Sequence, residues 1–229
     1  MSRLRSLLLS LVVLLPVLVL NWSAHADWLD DLRLGGYVIV LRHGATTSGI
    51  AGTDPMSNPN MKTTAERQLS EQGRAQAKSI GKALHELRIP VDLVMTSPLQ
   101  RAVDTGTLLG FCNVSTTPDL AEAGSAVTPE ENNQRAEALR KLAGFHPAAD
   151  SNLVIVTHKL NLVEAFGKDW SDVREGEASV LKPDDYGGYK LVVRVQANEW
   201  SALVKASLDQ PEAQTSGLRF QRSFFPNYD

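Results

Sequence analysis

Val38-Ile39-Val40-Leu41 is an unbroken apolar run that stops at Arg42-His43-Gly44. A run this short without alternation reads as a strand buried on both faces, the kind found in parallel sheets. Two more runs follow. Val91-Asp92-Leu93-Val94-Met95 delivers Thr96-Ser97-Pro98, and Leu153-Val154-Ile155-Val156-Thr157 ends on His158. In open α/β sheets, ligands sit just beyond the carboxyl ends of the strands. All three runs therefore carry polar chemistry to the edge where a site belongs. An imidazole beside a guanidinium, as at His43 and Arg42, suits a nucleophile or acid–base group next to an anion clamp.

Helical patterns separate these runs. Ser70 is placed to cap a helix, with Glu71 in its first turn and an apolar face at Ala77, Ile80, Ala83, Leu84 and Leu87. Ser97 and Pro98 suit the cap and first position of a second helix, from Leu99 to Leu109. That puts Arg101 in the first turn of a helix aimed at the sheet edge, a place favourable to anions. Thr128-Pro129-Glu130-Glu131 carries the start signals of a third helix, running to Leu142. Ser115 to Leu120 reads as a short strand, confined to an edge by Pro118. Asn161 to Phe166 reads as a short helix. Ala178 to Leu181 and Tyr189 to Val195, joined through Gly187-Gly188, read as an antiparallel hairpin. Residues 45–68, rich in Gly, Thr, Ser, Pro and Asn, form a long loop on the rim of the expected site. His85 reads as a surface or boundary residue, not a ligand, and His146 as structural.

Composition narrows the class. Arg3 and Arg5, the apolar stretch Leu7 to Leu20, and Ala24-His25-Ala26 have the pattern of a secretory signal cleaved before Asp27. The expected organisation is residues 1–26 as signal peptide, 27–205 as catalytic domain and 206–229 as a tail without clear period. Cleavage removes two arginines and no acid, moving the net charge from −3 to −5. The expected location is the periplasm or the outside medium, with no stable membrane anchor after cleavage. No basic stripe interleaved with aromatics appears, which argues against nucleic acid as a partner. The one cysteine, Cys112, cannot form an internal disulfide and reads as a small buried hydrophobe.

Leu41-Arg42-His43-Gly44 resembles the Arg-His-Gly signature of the histidine phosphatase superfamily, in the phosphoglycerate mutase-like branch. Leu69-Ser70 with Gly73, Ser97-Pro98 with Arg101 and Thr105, and Val156-Thr157-His158 are similar to its later blocks, in the same order. The stretch Thr157-His158-x-x-Asn161 and the leader look closest to small exported bacterial members. The resemblance implies a three-layer α/β/α sandwich around a mostly parallel sheet. It implies a phosphomonoester hydrolase working through a phosphohistidine on His43, with no cofactor and no metal. Arg42, Arg101 and His158 would hold the phosphoryl oxygens. Glu122 is the positional match for the acid that protonates the leaving oxygen, with Glu130 and Glu175 as fallbacks. The substrate would be a phosphorylated small molecule or envelope component. A specialised lipopolysaccharide-sugar phosphatase and a non-catalytic phosphate-binding relative are the alternatives.

Overall fold

The computed structural model describes residues 28–47, 67–123 and 127–209. The expected signal peptide, most of the 45–68 loop and the tail beyond 209 lie outside the described residues. Six strands form one sheet: β1 (Val38–Arg42), β2 (Val91–Thr96), β3 (Val114–Thr116), β4 (Asn152–Thr157), β5 (Ala178–Pro183) and β6 (Tyr189–Val195). Their order is β3-β2-β4-β1-β5-β6. The first four are mutually parallel. β5 runs antiparallel to β1, and β6 antiparallel to β5, so the expected hairpin closes one edge. The short β3 closes the other, just ahead of Pro118.

Helices cover both faces. They are α1 (residues 28–34), α2 (Glu71–Glu86), α3 (Gln100–Leu108), α4 (Pro129–Ala143), α5 (Lys159–Phe166) and α6 (Glu199–Asp209). The alternation of β1 assigns its residues to the two layers. Ile39 and Leu41 pack with Val94, Val154, Val156, α1, α2 and Trp200 of α6. Val38 and Val40 pack with Leu153, Ile155, Leu139 of α4 and Leu162 of α5. Burial on both faces is why these strands carry no polar alternation. Each fully buried aliphatic contributes about 1.5–3 kcal/mol relative to exposure.

The starts of α2 and α4 follow their sequence signals. Ser70 Oγ accepts from Gly73 N–H, and Thr128 with Glu131 forms a reciprocal capping box. Three expectations change. Ser97 does not cap α3: the cap position is Leu99, without a side-chain bond of its own, while the Ser97 hydroxyl accepts from Leu99 N–H and from His158 just ahead of the helix. Cys112 is exposed, not buried. It sits in the turn between α3 and β3, outside both core clusters. The tail does not begin at 206, since α6 continues to Asp209. Trp200, Leu203 and Val204 of α6 pack on the core at helical spacing.

Candidate active site

The parallel register of β1 and β4 pairs Arg42 with Thr157. The next residue of each strand is a histidine, so His43 and His158 emerge side by side. Their ring centroids are 5.2 Å apart. β2 lies on the other flank of β4, with Thr96 beside Val156. It therefore delivers Ser97 and the start of α3 to the same edge. Register, not sequence proximity, assembles the site.

Arg101 is its centre. It is fully buried, in the first turn of α3. Its Nε donates to His43 Nε2 at 3.3 Å. Its Nη2 lies 2.8 Å from Glu122 Oε2 and 3.2 Å from His158 Nδ1. Thr105, one turn on, fixes this arginine to the signature loop: its hydroxyl donates to Arg101 O and accepts from Gly44 N–H.

These partners define both imidazole tautomers. His43 Nδ1 sits 2.8 Å from Gly44 O. A carbonyl only accepts, so Nδ1 carries the proton and Nε2 keeps a lone pair. His158 Nδ1 faces a guanidinium, which only donates. Its proton therefore sits on Nε2, which donates to Ser97 Oγ at 2.7 Å. Burial, reinforced by the Arg101 charge, holds His43 well below the usual histidine range. Burial, then Arg101 and His43, does the same to His158. Both rings are neutral at pH 7, and His43 Nε2 is nucleophilic.

Glu122 follows the turn Pro118–Leu120 and is 1% exposed. Besides Arg101 it has Arg67 Nη2 at 3.5 Å, and His158 Nδ1 lies 4.0 Å from its Oε1. Arg42 sits toward the rim. It donates to Val173 O at 2.8 Å and approaches Glu175 at 3.5 Å. Glu175 in turn accepts from Thr46 at 3.0 Å. The structure thus brings His43, His158, Arg101 and Glu122 into direct contact, with Arg42 and Glu175 at the edge. Glu130 does not join them: it is exposed in the first turn of α4, bonded to Gln134.

Arg67 and Asn161 also belong here, though no role was expected of either. Arg67 lies at the end of a loop without periodicity, where spacing gives no signal. Close backbone approach fixes Gly44 and Ala45 against the start of α2. A Cβ on Gly73 would fall 2.0 Å from Ala45 O, and one on Gly44 2.7 Å from Gly73 O. The two glycines let α2 abut the signature loop. Among the described residues, no group of three or more His, Cys, Asp or Glu is placed to hold a metal.

The arrangement offers a neutral imidazole nucleophile, guanidiniums around it and a carboxylate within reach. The family model described as histidine phosphatase superfamily (branch 1) matches residues 38–150. A search of the curated proteins finds no match. Among solved structures, a putative alpha-ribazole-5'-P phosphatase from Escherichia coli K-12 is similar at 20% identity and TM-score 0.53, covering 71% of this chain and 98% of that one. The structure titled Mycobacterial hydrolase 1 is similar at 19% identity and TM-score 0.50, covering 69% and 97%. The protein histidine phosphatase SixA complexed with tungstate is 16% identical with TM-score 0.49, covering 71% and 98%.

Proposed function

The chain belongs to the histidine phosphatase superfamily, and from that premise we propose that it hydrolyses phosphomonoesters through a phosphohistidine on His43, without a metal. One observation carries the reading. The unprotonated Nε2 of His43 faces Arg101, which also touches His158 and Glu122.

A phosphate dianion enters among Arg101, His158 and Arg42. The His43 Nε2 lone pair attacks phosphorus, and the bond to the ester oxygen breaks opposite it. The guanidiniums neutralise charge on the equatorial oxygens, the role a cation plays elsewhere. Glu122, its share of Arg101 taken by the dianion, takes up a proton from solvent as the dianion binds and passes it to the leaving oxygen. Water then attacks phosphorus, the P–N bond breaks and the water's proton returns to Glu122. Phosphate and neutral His43 remain.

The test is turnover of p-nitrophenyl phosphate in chelator-treated buffer by the chain from Asp27 onward, beside His43→Ala. Rapid quench in base should trap an acid-labile phosphoramidate in the wild type alone. Turnover that survives His43→Ala refutes the proposal. No turnover on a broad ester panel, with phosphate still bound, identifies a binding protein instead. The basic start, apolar stretch and Ala-x-Ala pattern support export to the periplasm or medium. N-terminal sequencing of the protein recovered from outside the cytoplasm should begin at Asp27.

A further inference from the structure

Asn161 is fully buried in the first turn of α5, three residues after His158. Its amide makes two bonds, both to one stretch of backbone. Nδ2 donates to Ala121 O at 2.8 Å, and Oδ1 accepts from Ala123 N–H at 3.0 Å. These groups flank Glu122 and point the same way, as they do in an extended residue. The amide reads them as a neighbouring strand would. The carbonyl of Glu122 accepts from Arg135 Nη1 of α4 at 2.6 Å. Three bonds from two helices thus fix the three residues centred on the acid.

We propose that Asn161, assisted by Arg135, is the positioning residue that sets Glu122 for proton delivery to the leaving oxygen. This rests on the reading of Glu122 as that acid. The first turn of α5 then serves both halves of the chemistry. Its cap residue, His158, holds the phosphoryl group, and Asn161 aims the proton. The design also explains why Ala121 and Ala123 form no recognisable motif. They are buried, and they are held through backbone atoms that any residue possesses.

The experiment uses phenyl phosphates graded from p-nitrophenyl to p-methoxyphenyl. A p-nitrophenolate leaves without a proton, whereas a basic phenolate needs one. Glu122→Gln should lose on the order of 100-fold more on the basic ester than on p-nitrophenyl phosphate. Asn161→Ala should lose about tenfold more, because misplacing a catalytic group by about 1 Å can cost 100-fold. Arg135→Ala, a change on a half-buried side chain, should show the same trend, several-fold in size. The inhibition constant for inorganic phosphate should stay within about twofold in Asn161→Ala and Arg135→Ala, since the phosphate-holding groups remain.

A purely structural role predicts equal losses on all esters, and that result overturns the proposal. A steep dependence in Glu122→Gln with a flat one in both positioning variants refutes the clamp alone. A flat dependence in all three, or a wild type inactive on the whole series, removes the acid and the clamp with it. Should Asn161→Ala fail to fold, Arg135→Ala decides by the same slope.

Discussion

Replacing Arg101 with methionine keeps the buried stem and removes the guanidinium. The 2.8 Å ion pair with Glu122 and the bonds to both histidines are lost. Removing one partner of a buried pair costs about 3–5 kcal/mol, because the other charge stays buried. Arg67 remains 3.5 Å from the same carboxylate, which places the loss near 3 kcal/mol. For a domain of this size that lowers Tm by about 6–12 °C. Catalysis should fall by about 100- to 1,000-fold, the range for losing one preorganised donor to transition-state charge. Arg101 is also the second largest cause, after burial, of the low proton affinity of each histidine. The acid limb of the residual kcat/KM should therefore move up toward the ordinary histidine range. The double variant Arg101→Met/Glu122→Gln separates the two effects. With the undercompensated carboxylate gone, it should recover about 2 kcal/mol of stability over the single variant while remaining inactive. Urea unfolding followed by tryptophan fluorescence measures the first, and p-nitrophenyl phosphate turnover the second. A double variant no more stable than Arg101→Met refutes the account of the loss as an orphaned Glu122.

Further outcomes follow from the same geometry. His43 and His158 are held neutral in the fold but take up protons on unfolding below about pH 6.5, so the unfolded state binds more protons there. Their stabilisation is complete above that pH and falls as pH drops, by up to ~1.4 kcal/mol per pH unit for each ring. His158→Asn should flatten this slope in urea titrations between pH 7.5 and 5, and an unchanged slope refutes it. Asn152→Ala should cost about 3 kcal/mol, because the Asn152 amide serves Tyr37 N, Leu32 O and Pro90 O at the start of β4. That end of β4 is roughly 20 Å from His158, so kcat of the folded fraction should stay within about twofold. Gly73→Ala should cost 1–3 kcal/mol or more and also displace the signature loop, since the new Cβ meets backbone at 2.0 Å. A crystal structure with Ala45 unmoved contradicts it.

β1 and β4 were legible because burial on both faces leaves no polar alternation, whereas β2 is only part-buried, with Asp92 exposed; each of the three runs still ends abruptly in polar residues. Arg42, His43, Arg101 and His158 could be read for that reason. That they share one sheet edge was expected; which of them touch was not, because that depends on a strand order that places β4 between β1 and β2. Ser97 misled for a related reason. Its side chain matches a helix cap, yet it accepts from Leu99 N–H and from His158, serving the turn and the imidazole together. Glu122 could be suggested only by position, because backbone bonds hold its neighbours and leave no side-chain pattern. Cys112 shows the limit of residue-type averages: a small thiol is usually buried, but this one lies in a turn outside the core. α6 did carry a signal, in the spacing of Trp200, Leu203 and Val204, that reading the segment as the approach to a tail passes over.

The arginines of the site meet carboxylates before any phosphate arrives: Arg101 and Arg67 at Glu122, Arg42 at Glu175. Binding is therefore an exchange of anions. A dianion drawing on Arg101 must compete with Glu122, and the carboxylate it displaces lies in a buried site next to new negative charge. Such a group favours its protonated form. Under the proposed mechanism, substrate binding and loading of the acid are one event, coupled through a single guanidinium. On that mechanism there is a reason for Arg101, and not a rim arginine, to touch His43, His158 and Glu122 together. An inorganic anion should raise proton uptake on binding in proportion to its charge. Calorimetry of phosphate binding in buffers of different ionisation enthalpy reads that uptake directly, and its persistence unchanged in Glu122→Gln would break the coupling.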